Sequence, residues 1–428
     1  MLALARERLA ADFRRIRAKS HALCAPLRPQ EWRVQSMPDV SPPWWNMGHT
    51  SWFFARNVLH EFGGYDDEFA HFEYALNSYY EGLGPHLPRT QRGSVTRPST
   101  DEVLAYRGRV DERMLTLLAS ADPSAWHRLA ELTTIGLQHE QQHQELLLTE
   151  ILHNRYCDVA EFQLAYCDAP PLRPSVAPLR SALSPALSFV SISGGIVEIG
   201  HHGDAFAWDN ELPRHRAFVD DFALANRLVT CDEWLMFMAE GGYRNALLWL
   251  SNGWSAVLEN AWQAPHYWER RGDAWQQWTL RGWRPVEPHA PVCHVSFYEA
   301  DAFARWSGAR LPTEREWEHA ASVAGFDADA GNLLDDGRML TRPALHDVTG
   351  LQQLAGDVWE WTSSHYEPYP GYRPFDGALM EYNGKFMDNQ RVLRGGSFAT
   401  PREHIRASYR NFWPADTRFQ CTGLRLAR

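Results

Sequence analysis

The run SAWHRLAELTTIGLQHEQQHQELLLTEILHN, residues 124–154, decides how the first part of the chain reads. It is amphipathic at helical spacing, and its centre places His139 and His143 four residues apart. On a helix these two share a face, one turn from each other, and can bind one metal ion. Read literally, His139-Glu140-Gln141-Gln142-His143 is also the H-E-x-x-H string of zinc metalloproteases. That reading needs a third ligand. The extended form with a glycine and a third histidine is missing, since the next histidine is His153. Glu161 remains available as a glutamate ligand. Glu140, three residues before His143, is expected on the outside of the helix packing.

Working outward, three more amphipathic segments precede this one. LARERLAADFRRIRAKSHALCAPL ends before Pro29. SPPWWNMGHTSWFFARNVLHEFG enters through Ser41 and two prolines and stops at Gly63-Gly64. STDEVLAYRGRVDERMLTLLAS opens with Ser99 and Glu102 in capping-box spacing. Four helices with one long connection predict a four-helix bundle over residues 1–166, the architecture in which metal sites are built from inward-facing side chains. Residues 167–188, rich in Pro, Ala and Ser, read as a linker. Residues 189–428 carry short strand-like pieces among many Gly, Trp and Arg, which predicts an α+β domain. No internal repeat is visible.

A chain of 428 residues predicts two or three domains. A net charge of -11 argues against a general nucleic-acid binder and for a soluble protein. The 6 cysteines form no CxxC pair, and the N-terminus lacks the apolar core of a signal peptide, so a cytoplasmic protein with reduced thiols is expected. No stretch reaches the length of a membrane span.

His49, among the large aromatics of WWNMGHTSWFF, is the better third ligand. A buried polar side chain in such a wall needs a partner, which a metal or a backbone carbonyl would provide. Residue types alone leave Fe, Cu, Ni and Zn open.

Six strings, in order along nearly the whole chain, carry a resemblance: SPPWWNMGHTSWFF, LNSYYEGLGPHLPRTQRG, QHEQQHQELL, GDVWEWTSSHYEPYPGY, EYNGKFMDNQRVLRGGSFATP and YRNFWPADTRFQCTGLRLAR. Together they resemble the ergothioneine sulfoxide synthases and the related selenoneine synthases. The resemblance implies a DinB-like bundle followed by a C-type-lectin-like domain of the formylglycine-generating-enzyme kind. It implies mononuclear non-haem Fe(II) on His49, His139 and His143, dioxygen as co-substrate, and attachment of sulfur or selenium to the imidazole of hercynine. The H-E-x-x-H string is then a coincidence within H-x-x-x-H.

The resemblance also implies roles. Gln142, Asn411, Phe412 and Trp413 would hold hercynine, whose quaternary ammonium suits aromatic faces. Arg89 and Arg92 would take the carboxylate of the chalcogen donor. Tyr79 and Tyr80 are the candidates for a proton or electron donor near the metal, with Tyr366, Tyr369 and Tyr372 in reserve. Read without the resemblance, Gln142 is an ordinary bundle residue, Phe412 and Trp413 are core aromatics, and the arginines belong to a solvated loop. The partners are small molecules only.

Departures from the family pattern bear on the donor. Trp413 stands where the mycobacterial-type branch has an acidic residue, and GGSFATP carries Phe398 where cysteine is usual. Ala55 and Arg56 follow WFF in place of an acid. These favour a side branch with a different donor, and a sugar donor would suit Trp413. The reading leans slightly to a selenosugar over cysteine or γ-glutamylcysteine. Cys421 sits near the C-terminus with no second cysteine close in sequence. Two other classes stay open: a zinc hydrolase or thiol transferase on the bundle, and a sugar-binding protein without catalysis.

Overall fold

The computed structural model describes residues 2–159, 163–167, 186–346 and 349–428. Glu161 and most of the expected linker therefore lie outside the described residues. The chain divides into two compact units, Met1–Tyr166 with Asp376–Glu381, and Cys167–Phe375 with Tyr382–Arg428. The excursion Asp376–Glu381, which the sequence reading assigns to the second domain, thus belongs to the helical unit. There the Glu381 carboxylate accepts hydrogen bonds from the backbone N–H groups of Glu81, at 3.1 Å, and Gly82, at 2.9 Å.

The first unit is built on α1 (Leu2–Cys24), α2 (Pro43–Phe54), the short α3 (Glu73–Leu76), α4 (Thr100–Ser120) and α5 (Trp126–Tyr156). Pro43 opens α2 at a position whose N–H would have no partner anyway. Every residue of α2 is buried, the polar Asn46, His49, Thr50 and Ser51 included, so the helix is enclosed on all sides and not on one face as its amphipathic reading implied. The helical path runs on through a π-helical turn, Ala55–Leu59. Ser99 and Glu102 close the predicted capping box on α4. Helix α5 packs on α1 and on α2, so its middle is enclosed on two faces. Gly136 lets α2 approach, because a Cβ there would lie 2.4 Å from the Phe54 ring.

The second unit holds β1 (Phe189–Ile192), β2 (Gly195–Ile199), β3 (His215–Val219), β4 (Phe222–Ala225), α6 (Cys231–Ala239), α7 (Ser251–Glu259), β5 (Trp268–Arg271), β6 (Ala274–Thr279), β7 (Gly282–Pro285), α8 (Phe297–Trp306), α9 (Glu314–Ala324), β8 (Trp359–His365), β9 (Gln390–Arg394), β10 (Asn411–Pro414) and β11 (Thr422–Gly423). Strands β1 and β2 follow each other closely yet pair with β4 and β3, in a nested arrangement. The central sheet runs β10-β9-β8-β11, with β11 parallel to β8. Buried ion pairs lock it. Arg394 meets Glu318 at 2.7 Å, Arg410 meets Glu314 at 2.9 Å, and Arg425 meets Glu360 at 2.8 Å. Removing one partner of such a pair strands a buried charge. Among the described residues no helix is long and apolar enough to cross a membrane.

Candidate metal centre

His49 on α2 meets His139 and His143 on α5. Its ring centroid is 5.0 Å from each of theirs, and one ligand nitrogen from each of the three lies within 4.8 Å of the others. Helical spacing also sets the walls. Trp45 and Trp52, one turn either side of His49, stack on its ring at 4.5 and 5.5 Å. Phe53 packs against His139 at 4.5 Å. Burial lowers all three histidines well below the usual imidazole range, so each is a neutral donor.

Two of the rings are aimed by their other nitrogen. The Nδ1–H of His49 donates to the Leu76 carbonyl at 2.6 Å, at the end of α3. The Nδ1–H of His143 donates to Asn46 Oδ1 at 2.7 Å. Asn46 in turn donates to Glu150 at 2.6 Å. Burial pushes the Glu150 carboxyl up to about 8, although Ser41 and Asn46 donate to it. A carbonyl or amide oxygen behind a histidine leaves Nε2 as the lone pair and is the usual second layer of a metal site. The donor set therefore fits a divalent transition ion with open positions, iron included. Asn46 and Glu150 are absent from the sequence reading. Their spacing carried the signal, since Asn46 lies three residues before His49 and Glu150 seven after His143.

Glu140 overturns one expectation. It is fully buried, not turned outward. Its carboxylate is taken by Arg17 at 2.7 Å, by the Ser20 hydroxyl at 2.6 Å, and by Arg107. Burial would raise its pKa, but Arg107 and Arg17 hold it well below the ordinary carboxylate range. A carboxylate so engaged does not act as the general base of a peptidase.

Arg92 is buried at 2% exposure, and its guanidinium lies over Trp45 at 3.4 Å. It donates to the Ser41 and Ser78 hydroxyls at 2.9 and 3.1 Å, and it forms no salt bridge among the described residues. Burial brings it down to about 9. Arg89, on the turn Arg89–Gln91, is exposed. Tyr80 is buried and continues the aromatic line from Trp52 at 5.6 Å, and Tyr79 stacks on it at 5.0 Å. Burial pushes Tyr79 up to about 12 and Tyr80 well above the usual phenol range. Gln142 is half-buried beside His143 on α5.

Asn411, Phe412 and Trp413 form β10 in the second unit. Phe412 stacks on Tyr366 at 4.1 Å, with Phe386 at 5.8 Å, and Trp413 meets Phe419 edge-on at 5.5 Å. The reserve tyrosines have structural partners. The Tyr366 hydroxyl accepts from Asn210 at 2.8 Å and that of Tyr369 from Arg394 at 3.1 Å, while Tyr372 donates to Asp209 at 2.9 Å. Phe398 is buried. A second cluster that sequence order conceals joins Cys293 and His294 to Cys421. Burial alone would raise the Cys293 thiol, but Cys421 and His294 pull it down to about 6.

Comparison with known proteins gives the following. The DinB superfamily matches residues 12–147, and the sulfatase-modifying factor enzyme 1-like domain matches residues 177–340 and 334–428. The hercynine oxygenase of Mycolicibacterium thermoresistibile is 35% identical, over 68% of this chain and 67% of its own length. That of Mycolicibacterium smegmatis is 34% identical, over 68% and 70%. A formylglycine-generating enzyme of Streptomyces coelicolor is 32% identical over 49% of this chain and 78% of that protein.

Proposed function

This chain belongs to the hercynine oxygenase family, and we propose that it uses Fe(II) and dioxygen to join a selenium or sulfur atom from a small donor to the imidazole of hercynine. The observation that carries the reading is the set of neutral histidines His49, His139 and His143, the first two buried and His143 partly so, with His49 and His143 aimed by oxygen acceptors. These would hold the iron, which when bound supplies redox chemistry with dioxygen.

The rest falls to the chain's own groups. Asn46, steadied by Glu150, fixes the His143 ring. Arg92 is a buried cation without a carboxylate partner among the described residues, which favours an anionic group of a substrate. Hercynine's own carboxylate supplies that anion even when the donor is a sugar. Arg89, at the exposed end of the same turn, would guide the anion inward. Gln142 in the helical unit and Asn411, Phe412 and Trp413 in the sheet-containing unit are the proposed contacts of hercynine. Phe412 and Trp413 follow each other in β10 and point to opposite faces, so one of the two rings serves the trimethylammonium. Burial keeps Tyr79 and Tyr80 protonated at neutral pH, so each phenol retains the hydrogen that a proton or electron donor would give.

For the donor, Trp413 in place of an acid and Phe398 in place of cysteine support a selenosugar. The test is an aerobic assay with Fe(II) and hercynine, offering a selenosugar, cysteine and γ-glutamylcysteine in parallel and read by mass spectrometry. A selenium adduct alone supports the selenosugar. A sulfoxide adduct with cysteine or γ-glutamylcysteine replaces it with a sulfur donor. Hercynine untouched by every donor, with iron bound, overturns the substrate.

A further inference from the structure

Within the sheet-containing unit, both Sγ atoms of Cys293 and Cys421 and one ring nitrogen of His294 lie within 4.8 Å of one another. All three residues are buried, and neither cysteine is in a disulfide. The segments that carry them are tied together on both sides. Val295 N–H donates to the Thr422 carbonyl at 3.4 Å, the Thr422 hydroxyl donates to the Val295 carbonyl at 2.7 Å, and Trp359 N–H donates to the Cys421 carbonyl at 2.9 Å. His294 is held at a φ of 65°, in the left-handed region that a residue with a side chain rarely adopts. Such strain persists where the surroundings impose it and gathers at functional sites. Its Nδ1–H donates to the Gln420 carbonyl at 2.9 Å, and the Tyr267 ring stands edge-on to it at 4.8 Å. The imidazole is therefore fixed in the tautomer whose Nε2 carries the lone pair. This is the same arrangement that aims His49 and His143.

We propose that Cys293, His294 and Cys421 form a second metal site that takes a thiophilic d10 cation, Zn(II) or Cu(I), through two thiolates and one imidazole. Sulfur and imidazole donors select such ions, and the absence of any carboxylate from the trio disfavours Mg(II) and Ca(II). Three donors complete a trigonal Cu(I) site or leave one position of a tetrahedral Zn(II) site. Binding releases the two thiol protons and involves no change of oxidation state. A disulfide between the same cysteines would need neither the third donor nor its fixed tautomer. The cation would anchor the segment Phe419–Cys421, and Phe419 is the ring on which Trp413 rests. The site does not depend on the substrate assignment.

The test uses the full chain, purified without oxygen, stripped by chelator and kept reduced. Co(II) serves as the optical probe for the Zn(II) arm and bicinchoninate competition as the Cu(I) arm, with X-ray absorption at the Zn or Cu edge. The expected result is one sulfur-ligated equivalent, with a thiolate-to-cobalt charge-transfer band, in wild type and equally in His139→Ala. The band should be lost in Cys421→Ser. Uptake of only one of the two ions identifies the resident metal. The wild-type absorption measurement stands even where a variant fails to fold. Reduced wild type that takes up no sulfur-ligated metal overturns the proposal, as does a Cys293–Cys421 disulfide recovered with no metal uptake after reduction.

Discussion

Replacing Glu140 by alanine removes a carboxylate shared by two buried guanidinium groups. Arg17 keeps Asp111 at 2.7 Å. Among the described residues Arg107 keeps only uncharged hydrogen-bond acceptors, namely the His21 ring nitrogen at 3.2 Å, the Thr50 hydroxyl at 3.0 Å, the Ser51 hydroxyl and the Met47 and Arg17 carbonyls, so its charge loses its ion partner in the helical unit. Breaking a buried pair in this way costs about 3–5 kcal/mol. For a unit of this size each kcal/mol lowers the midpoint by about 2–4 °C, so a loss of about 10 °C is expected in thermal unfolding followed by circular dichroism. Adding Arg107→Met should recover part of the loss, because it removes the stranded charge. The same carboxylate sets an acid limit. Its folded pKa lies well below the ordinary value of 4.5, so its contribution is complete above pH 4.5 and is lost as pH falls below it. Glu140→Ala should blunt that acid sensitivity. An unchanged midpoint with abolished turnover would refute the reasoning and restore Glu140 as a catalytic base.

Asn46→Ala should weaken Fe(II) binding about 10- to 100-fold, measured by competitive titration, because the His143 ring loses its orienting acceptor. For Glu150 the sign is opposite to that of Glu140. Its carboxyl is raised to about 8, so the stability it contributes is full below pH 4.5 and lost as pH rises toward 8, and Glu150→Gln should flatten that slope in melting curves. Arg92→Met should raise KM for the anionic substrate about tenfold, the loss of one charge-assisted hydrogen bond, and an unchanged KM would remove Arg92 from the binding reading. Gly136→Ala should destabilise by about 1–3 kcal/mol in chemical unfolding, against its better helix propensity, because the new Cβ meets the Phe54 ring.

What the sequence determined by itself is what local periodicity encodes. A fixed rotation per residue puts His139 and His143 on one face, sets Trp45 and Trp52 around His49, and places the capping box at Ser99. The linker-like composition change separated helical from sheet-rich sequence. The meeting of His49 with the α5 pair is a matter of helix packing, and only the tertiary structure decided it. The same holds for Glu140. Expecting it outside presumes that α5 has one buried face, whereas α1 and α2 enclose its middle and an inward carboxylate is matched by Arg17 and Arg107. The trio of Cys293, His294 and Cys421 lies furthest from legibility. Its members are brought together by parallel pairing of β11 with β8 and by the tie between Val295 and Thr422, contacts between segments remote in the chain that no local pattern records.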